Sequence, residues 1–163
     1  IEQINVSPIK KRDFILGKLI PFWILAMLAF SVGLLVTIFV YKIHMQGSFL
    51  LLYGFISVYM IAILGMGLLA SVYSETQQQS MFMVFFFMMI FILMSGLFTP
   101  VESMTEWARY IAYINPVTYG VGGIRLIMLK NSGFMDLLPH FIYLTVLGIV
   151  VISWAMLRYR KTN

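Results

Sequence analysis

Long apolar runs, broken by short polar or proline-bearing segments, set the layout of this chain. Four runs are long and apolar enough to cross a bilayer, at about Leu19 to Tyr41, Leu50 to Tyr73, Ser80 to Phe98 and Leu137 to Leu157. KIHMQGS between the first two is short and carries Gly47, and SETQQQ between the next two makes an equally tight polar turn. These runs should fold as antiparallel neighbouring helices. The connection from Thr99 to Asp136 is different: it is too long for a bare loop in a compact bundle and should have structure of its own.

Its first part, SGLFTPVESMTEWARYIAYINPVTY from Ser95 to Tyr119, is apolar yet interrupted by prolines and carboxylates. Thr99 fits an N-cap, Pro100 the first helical position, where its missing N–H costs nothing, and Glu102 the third position of a capping box. Pro116 disfavours a helical conformation at Asn115, so this helix should end near Ile114. At about 1.5 Å per residue it reaches roughly 22 Å, short of the roughly 30 Å of a hydrocarbon core, and cannot span. Met104, Trp107, Ile111 and Ile114 recur at helical spacing, so one face should lie in the membrane or bundle. Asn115 and Pro116 can start a second helix through VTYGVGGIRLIMLK, with Asn131 and Gly133 as stop signals. Gly120, Gly122 and Gly123 would each weaken that helix by up to about 1 kcal/mol relative to alanine, a cost that close packing should offset. The expected fold is all-α and integral to the membrane. It has four transmembrane helices plus two short re-entrant outer helices over about residues 100–131, where irregular backbone is shielded by protein or a water cavity.

Composition agrees with that class. The 163 residues are 61% hydrophobic and only 10% charged, with a mean hydropathy of +0.95, against roughly 25% charged residues in soluble domains. The net charge of +5 does not point to nucleic acid, because the bases flank apolar runs and do not stud a polar face. Lys10, Lys11, Arg12 and Lys18 precede the first run, and Arg158, Arg160 and Lys161 follow the last, which places both ends of this chain in the cytoplasm. KIHMQGS and the Thr99 to Asp136 connection then lie outside. There Lys42, Arg109, Arg125 and Lys130 run against the charge rule, with Glu102, Glu106 and Asp136 beside them. The sequence has no cysteine, which removes disulfides and thiol chemistry and fits a bacterial inner membrane. Ile1 is not an initiator residue and IEQINVSPIKKRDF lacks the apolar core of a signal peptide, so the chain reads as part of a longer protein.

What the runs lack narrows the function. No Asp, Glu, Lys, Arg or His falls within their apolar interiors, which disfavours ion-coupled carriers, proton pumps and voltage sensors. His44 and His140, both expected near the outer surface, are too few to define a metal or haem site. No serine, histidine and carboxylate set supports a hydrolase. Gly17-Lys18 ends like a P-loop, but Arg12 holds the position of the earlier glycine and no Ser or Thr follows Lys18. The chain is therefore expected not to be an enzyme and to bind no cofactor, with any ATP hydrolysis coming from another polypeptide. MFMVFFFMMIFILM reads as filler for helix interfaces and lipid contact. Ala29 to Gly33 and Gly67 to Ser71 are small-residue spacings that permit close helix approach.

The residues resemble the permease half of ABC-2 type transporters, bacterial exporters paired with a separate ATPase. IEQINVSPIKKRDFILGKLIPF is similar to the family's cytoplasmic stretch of the form E-Q-L-x-V-T/S-P followed by F-I-L-G-K and a proline entering the third span. SETQQQS resembles its glutamine-rich connection before the fifth span. SGLFTPVESMTEWARYIAYINPVTY resembles its S-G-x-x-x-P element, short outer helix and N-P-x-T/S-Y element. The resemblance covers nearly the whole chain, in order.

It implies the C-terminal part of a six-span permease, holding the third to sixth spans, with residues 1–18 as a cytoplasmic coupling segment, 19–157 as the transmembrane domain and 158–163 as a basic tail. Glu2, Ser7, Pro8, Asp13, Phe14, Gly17 and Lys18 would belong to or adjoin the segment that docks on the ATPase. Pro100, Glu102, Asn115, Pro116 and Tyr119 would belong to the outer gate. The implied partners are a cytoplasmic ABC ATPase carrying ATP and Mg, a second permease copy or homologue, and membrane lipid. A membrane anchor or scaffold without transport is the competing reading, and stimulation of a co-purifying ATPase separates the two.

Overall fold

The computed structural model describes residues 11–130 and 132–158. These carry six α-helices: α1 (Lys11–Phe39), α2 (Phe49–Tyr73), α3 (Gln77–Leu93), α4 (Glu106–Ile114), α5 (Pro116–Lys130) and α6 (Phe134–Arg158), with a 3-10 turn at Val101–Ser103 between α3 and α4. Three of them, α1, α2 and α6, are long and apolar enough to cross a membrane. α3, with 17 residues, reaches only roughly 26 Å.

The helix ends follow local chemistry. α1 begins ahead of Leu19 and carries Asp13 in its first turn, where the exposed amides of a helix start favour a carboxylate. Pro21 lies inside α1; it removes the hydrogen bond that would reach the Gly17 carbonyl. The glutamines between α2 and α3 are helical, not turn: the Thr76 hydroxyl accepts from the Gln79 amide at 3.2 Å while Gln79 Oε1 accepts from the Glu75 amide at 3.0 Å. That reciprocal capping starts α3 at Gln77 and leaves a very short turn.

α2 is the centre of the bundle, with α1, α3, α5 and α6 all packed on it. Its most extensive partner is α6, and the two run parallel: Phe55 meets Phe141 edge-on at 5.2 Å, Gly148 lies against Ala62, Gly65 against Ile152, and Trp154 Nε1 donates to the Tyr73 hydroxyl at 3.0 Å. The close approach therefore uses Ala62, Gly65 and Gly148. Among the described residues Gly33 and Gly67 have no atom within 4 Å of a would-be Cβ, so there the two small-residue pairs are not helix seams. Leu34, Leu52, Phe55, Ile56, Ala62, Ile127, Leu137 and Leu144 form the buried cluster. Since lipid tails are as apolar as leucine, this burial contributes through packing more than through transfer from water. The remaining surface is apolar too: α3 buries no residue, and Leu28 of α1 and Phe82 of α3 are 58% and 66% exposed. Helices apolar all round belong in lipid or against other spans.

Candidate functional site

The last carbonyls of a helix have no partner within it, and at membrane depth no water takes them. At the end of α3 those partners come from α5. Asn115 Nδ2 donates to the Phe91 carbonyl at 2.7 Å, Thr118 Oγ1 to that of Met94 at 3.3 Å, and the Arg125 guanidinium to those of Gly96 and Leu97 at 3.2 and 3.5 Å. Ser95 Oγ donates to the Ile92 carbonyl at 2.7 Å. Gly96 turns the chain at φ +79°, a left-handed conformation that glycine adopts without strain. Asn115 works in two directions, because its Oδ1 accepts from the Val117 amide at 2.9 Å as the N-cap of α5. It is 1% exposed. Pro116, buried at the first position of α5, needs no hydrogen-bond partner there.

Two tyrosines hold the end of α4. The Tyr119 hydroxyl donates to the Tyr113 carbonyl at 2.9 Å, the Tyr143 hydroxyl donates to the Ile114 carbonyl, and their rings stack at 3.9 Å. His140 lies edge-on to Tyr119 at 5.6 Å. It is half-buried between α5 and α6, with Nε2 3.1 Å from where a Cβ on Gly122 would lie. Replacing both Tyr119 and Tyr143 by phenylalanine should cost about 1 kcal/mol per hydrogen bond and loosen α4 while leaving the bundle assembled. Faster hydrogen exchange confined to residues 106–114 is the expected readout, and unchanged exchange there would refute the clasp.

The glycines of α5 are contact points. A Cβ on Gly123 would run into the Phe55 ring, and one on Gly120 would come within 2.5 Å of the Tyr59 ring. Close packing against α2 thus offsets their low helix propensity, as expected.

The helix expected over Pro100 to Ile114 is broken. Residues 101–103 make a 3-10 turn, Met104 and Thr105 are extended, and α4 starts only at Glu106. Thr99 is not its N-cap and Glu102 closes no capping box. The Ser103 hydroxyl and amide both take the Pro100 carbonyl, at 2.8 and 3.0 Å, which closes a tight local turn in place of a helix start. Arg109 then binds that turn to α4 by donating to the carbonyls of Glu102 and Met104, at 2.7 and 3.3 Å. The second helix ends at Lys130, beside the expected stop signal.

Of the outer gate candidates, Asn115, Pro116 and Tyr119 come together at the junction of α3, α4, α5 and α6. Pro100 and Glu102 lie apart, exposed on the 3-10 turn. Thr118, Arg125 and Tyr143 complete the junction, and none of them is among the gate candidates of the sequence, where Arg125 counts only as an outer charge. Thr118 and Arg125 carry a signal only once α3 is known to end beside α5. At the other end of the bundle, Asp13, Phe14, Gly17 and Lys18 are continuous with α1, and the Lys18 ammonium sits 4.7 Å from the centre of the Phe14 ring. Glu2, Ser7 and Pro8 lie outside the described residues.

The family described as ABC-2 type transporter matches residues 1–129. The probable multidrug ABC transporter permease YbhR of Escherichia coli is 36% identical over 132 residues, covering 81% of this chain and 36% of the relative. YbhS, another probable multidrug ABC transporter permease of Escherichia coli, is 27% identical over 99% of this chain and 43% of its own length. The Escherichia coli inner membrane transport permease YhhJ is 24% identical over 99% of this chain and 44% of its own. The chain thus spans less than half the length of these curated relatives. No solved structure matches it.

Proposed function

The chain belongs to the ABC-2 type transporter family, and on that premise we propose that it forms the C-terminal, membrane-embedded part of a six-span exporter permease, driven by a separate cytoplasmic ABC ATPase. In this reading α1, α2, α3 and α6 are the third to sixth spans, α4 and α5 are re-entrant on the outer side, and both ends of the chain are cytoplasmic. The flanking Lys and Arg residues support that orientation, and the relatives named as inner membrane or multidrug permeases support a bacterial inner membrane and an amphiphilic small-molecule cargo.

The observation that carries the reading is the unbroken run of α1 from Lys11 to Phe39. It joins the coupling candidates Asp13, Phe14, Gly17 and Lys18 to the 40–48 loop at the far end of the bundle, roughly 33–40 Å away. That loop rests on α5: the Gln46 amide donates to the Met128 carbonyl at 3.2 Å, and Gly47 packs directly on the Ile127 carbonyl. α5 in turn holds the end of α3 through Asn115, Thr118 and Arg125. Closure of the ATPase on ATP and Mg would displace the start of α1, and this chain of contacts would carry the displacement to the gate. Alternating access needs no charge of its own inside the spans, because the energy enters at the partner interface. A second permease copy or homologue completes the pathway.

In the full-length permease reconstituted with its ATPase, Pro8→Ala and Phe14→Ala should leave membrane insertion intact and ATP hydrolysis running while lowering transport about tenfold, a coupling loss of ordinary size. Normal coupled turnover in both variants would defeat the assignment. A permease that never alters the ATPase rate would favour the scaffold reading.

A further inference from the structure

Because α2 and α6 run parallel, their C-terminal ends lie at the same end of the bundle, and there three exposed side chains meet. Trp154 Nε1 donates to the Tyr73 hydroxyl at 3.0 Å, and the Arg158 guanidinium carbon lies 6.0 Å from the centre of the Tyr73 ring. The indole uses the tyrosine oxygen as an acceptor, so the phenol proton is still to be donated. Among the described residues it finds no acceptor, and no carboxylate pairs with Arg158, Glu75 two positions past Tyr73 included. A helix end by itself favours a cation at position 158, since the last carbonyls of α6 carry partial negative charge. It does not account for a phenol proton and a guanidinium that converge on one side, both without an acceptor. Two such donors call for an anion, and phosphate oxygens suit the planar guanidinium.

The surroundings decide what carries that anion. Val146, Val150, Trp154 and Arg158 fall at every fourth position of α6 and so share one ridge of the helix, whose side chains are all exposed. From Val146 to Arg158 the ridge rises roughly 18 Å, about one leaflet of a roughly 30 Å hydrocarbon core. Leu157, beside Arg158, is 84% exposed, so the rim stays apolar to the last turn. An anion that reaches the guanidinium must therefore arrive with an apolar body, and a soluble partner brings none to cover the ridge.

We propose that Arg158 and Tyr73 bind the phosphate of an anionic phospholipid, whose acyl chains lie along the Val146, Val150 and Leu157 side of α6. The choice of leaflet rests on the orientation proposed above, which makes it the cytoplasmic one. By contacting side chains of both helices, the headgroup ties together the ends of two parallel spans.

The test uses the full-length permease without its ATPase, stripped of lipid in mild detergent and mixed with equal amounts of phosphatidylglycerol and phosphatidylcholine of identical chains. Native mass spectrometry reads the lipids retained. Phosphatidylglycerol should be favoured about fivefold as the first lipid bound, the gain of one basic side chain at an anionic headgroup. Arg158→Gln should bring that ratio close to one, whereas Arg160→Gln, which removes the same charge two positions on, should leave most of it. Tyr73→Phe keeps the ring and every charge; retention of phosphatidylglycerol should fall about fivefold, as for one lost hydrogen bond. Equal retention of the two lipids by the wild type, equal loss in Arg158→Gln and Arg160→Gln, or full retention in Tyr73→Phe overturns the proposal. Release of the lipid on adding the ATPase would assign the face to that partner and overturns it too. Should a variant fail to fold, Arg158→Lys serves: it keeps the charge without the planar fork, so retention should fall while the preference over phosphatidylcholine stays, and unchanged retention overturns the proposal. None of these readouts needs transport or ATP, so failure here leaves the permease reading standing, and a reversed orientation would change the leaflet and not the binding.

Discussion

Asn115→Ala should destabilise the protein by about 2–4 kcal/mol, combining a lost N-cap of about 1 kcal/mol with a Phe91 carbonyl left unpaired at about 1–3 kcal/mol. The size follows from burial, since Asn115 is 1% exposed and water cannot replace either bond. Asn115→Asp separates the two contributions. It keeps an acceptor for the Val117 amide but loses the Nδ2 donor to Phe91 and sets a carboxylate against a carbonyl in apolar surroundings, so it should do at least as much damage as alanine. Unfolding in detergent, followed by thermal melting or titration with a denaturing surfactant, reads both. If Asn115→Asp matches the wild type, the bond to Phe91 does not hold α3 and α5 together. Transport should fall with stability in both variants, because α3 buries no side chain and its end is positioned by these hydrogen bonds.

Gly123→Ala comes next in size, and here propensity and packing give opposite signs. Helix propensity alone predicts a gain of up to about 1 kcal/mol. The structure predicts a loss of about 1–3 kcal/mol, because the new methyl group overlaps the Phe55 ring at the seam of α2 and α5. Gly67→Ala is the control: its Cβ meets no atom within 4 Å, so only the propensity gain should appear. Adding Phe55→Leu to Gly123→Ala should recover part of the loss, since it removes the atoms that clash. Equal stabilisation by Gly123→Ala and Gly67→Ala would show that α5 does not press on α2 this closely.

These two positions also mark how far the residue order could be read. Asn115 and Pro116 announce a helix break and restart from local chemistry alone, since proline restricts the residue before it and asparagine caps the helix after it. Nothing local says that the free amide hydrogens of Asn115 end on Phe91, 24 positions away. Gly120, Gly122 and Gly123 signalled close packing, but not which rings they meet. The capping box at Thr99 and Glu102 failed for a related reason. Its residue types fit, yet Ser103 offered the Pro100 carbonyl a nearer donor and Arg109 drew two carbonyls of the segment toward α4.

By itself the sequence determined that this is a membrane protein of apolar helices with uncharged span interiors, that its longest connection folds into two short helices meeting at Asn115 and Pro116, and that it resembles ABC-2 permeases. Those properties are local, set by hydropathy, proline geometry and capping over neighbouring residues. Only the tertiary structure decided that α2 and α6 run parallel through Ala62, Gly65 and Gly148, and that Thr118 and Arg125 complete the end of α3. Such pairings depend on which atoms of distant segments approach within bonding or contact distance, and in an almost uniformly apolar chain the hydrophobic pattern cannot choose among faces.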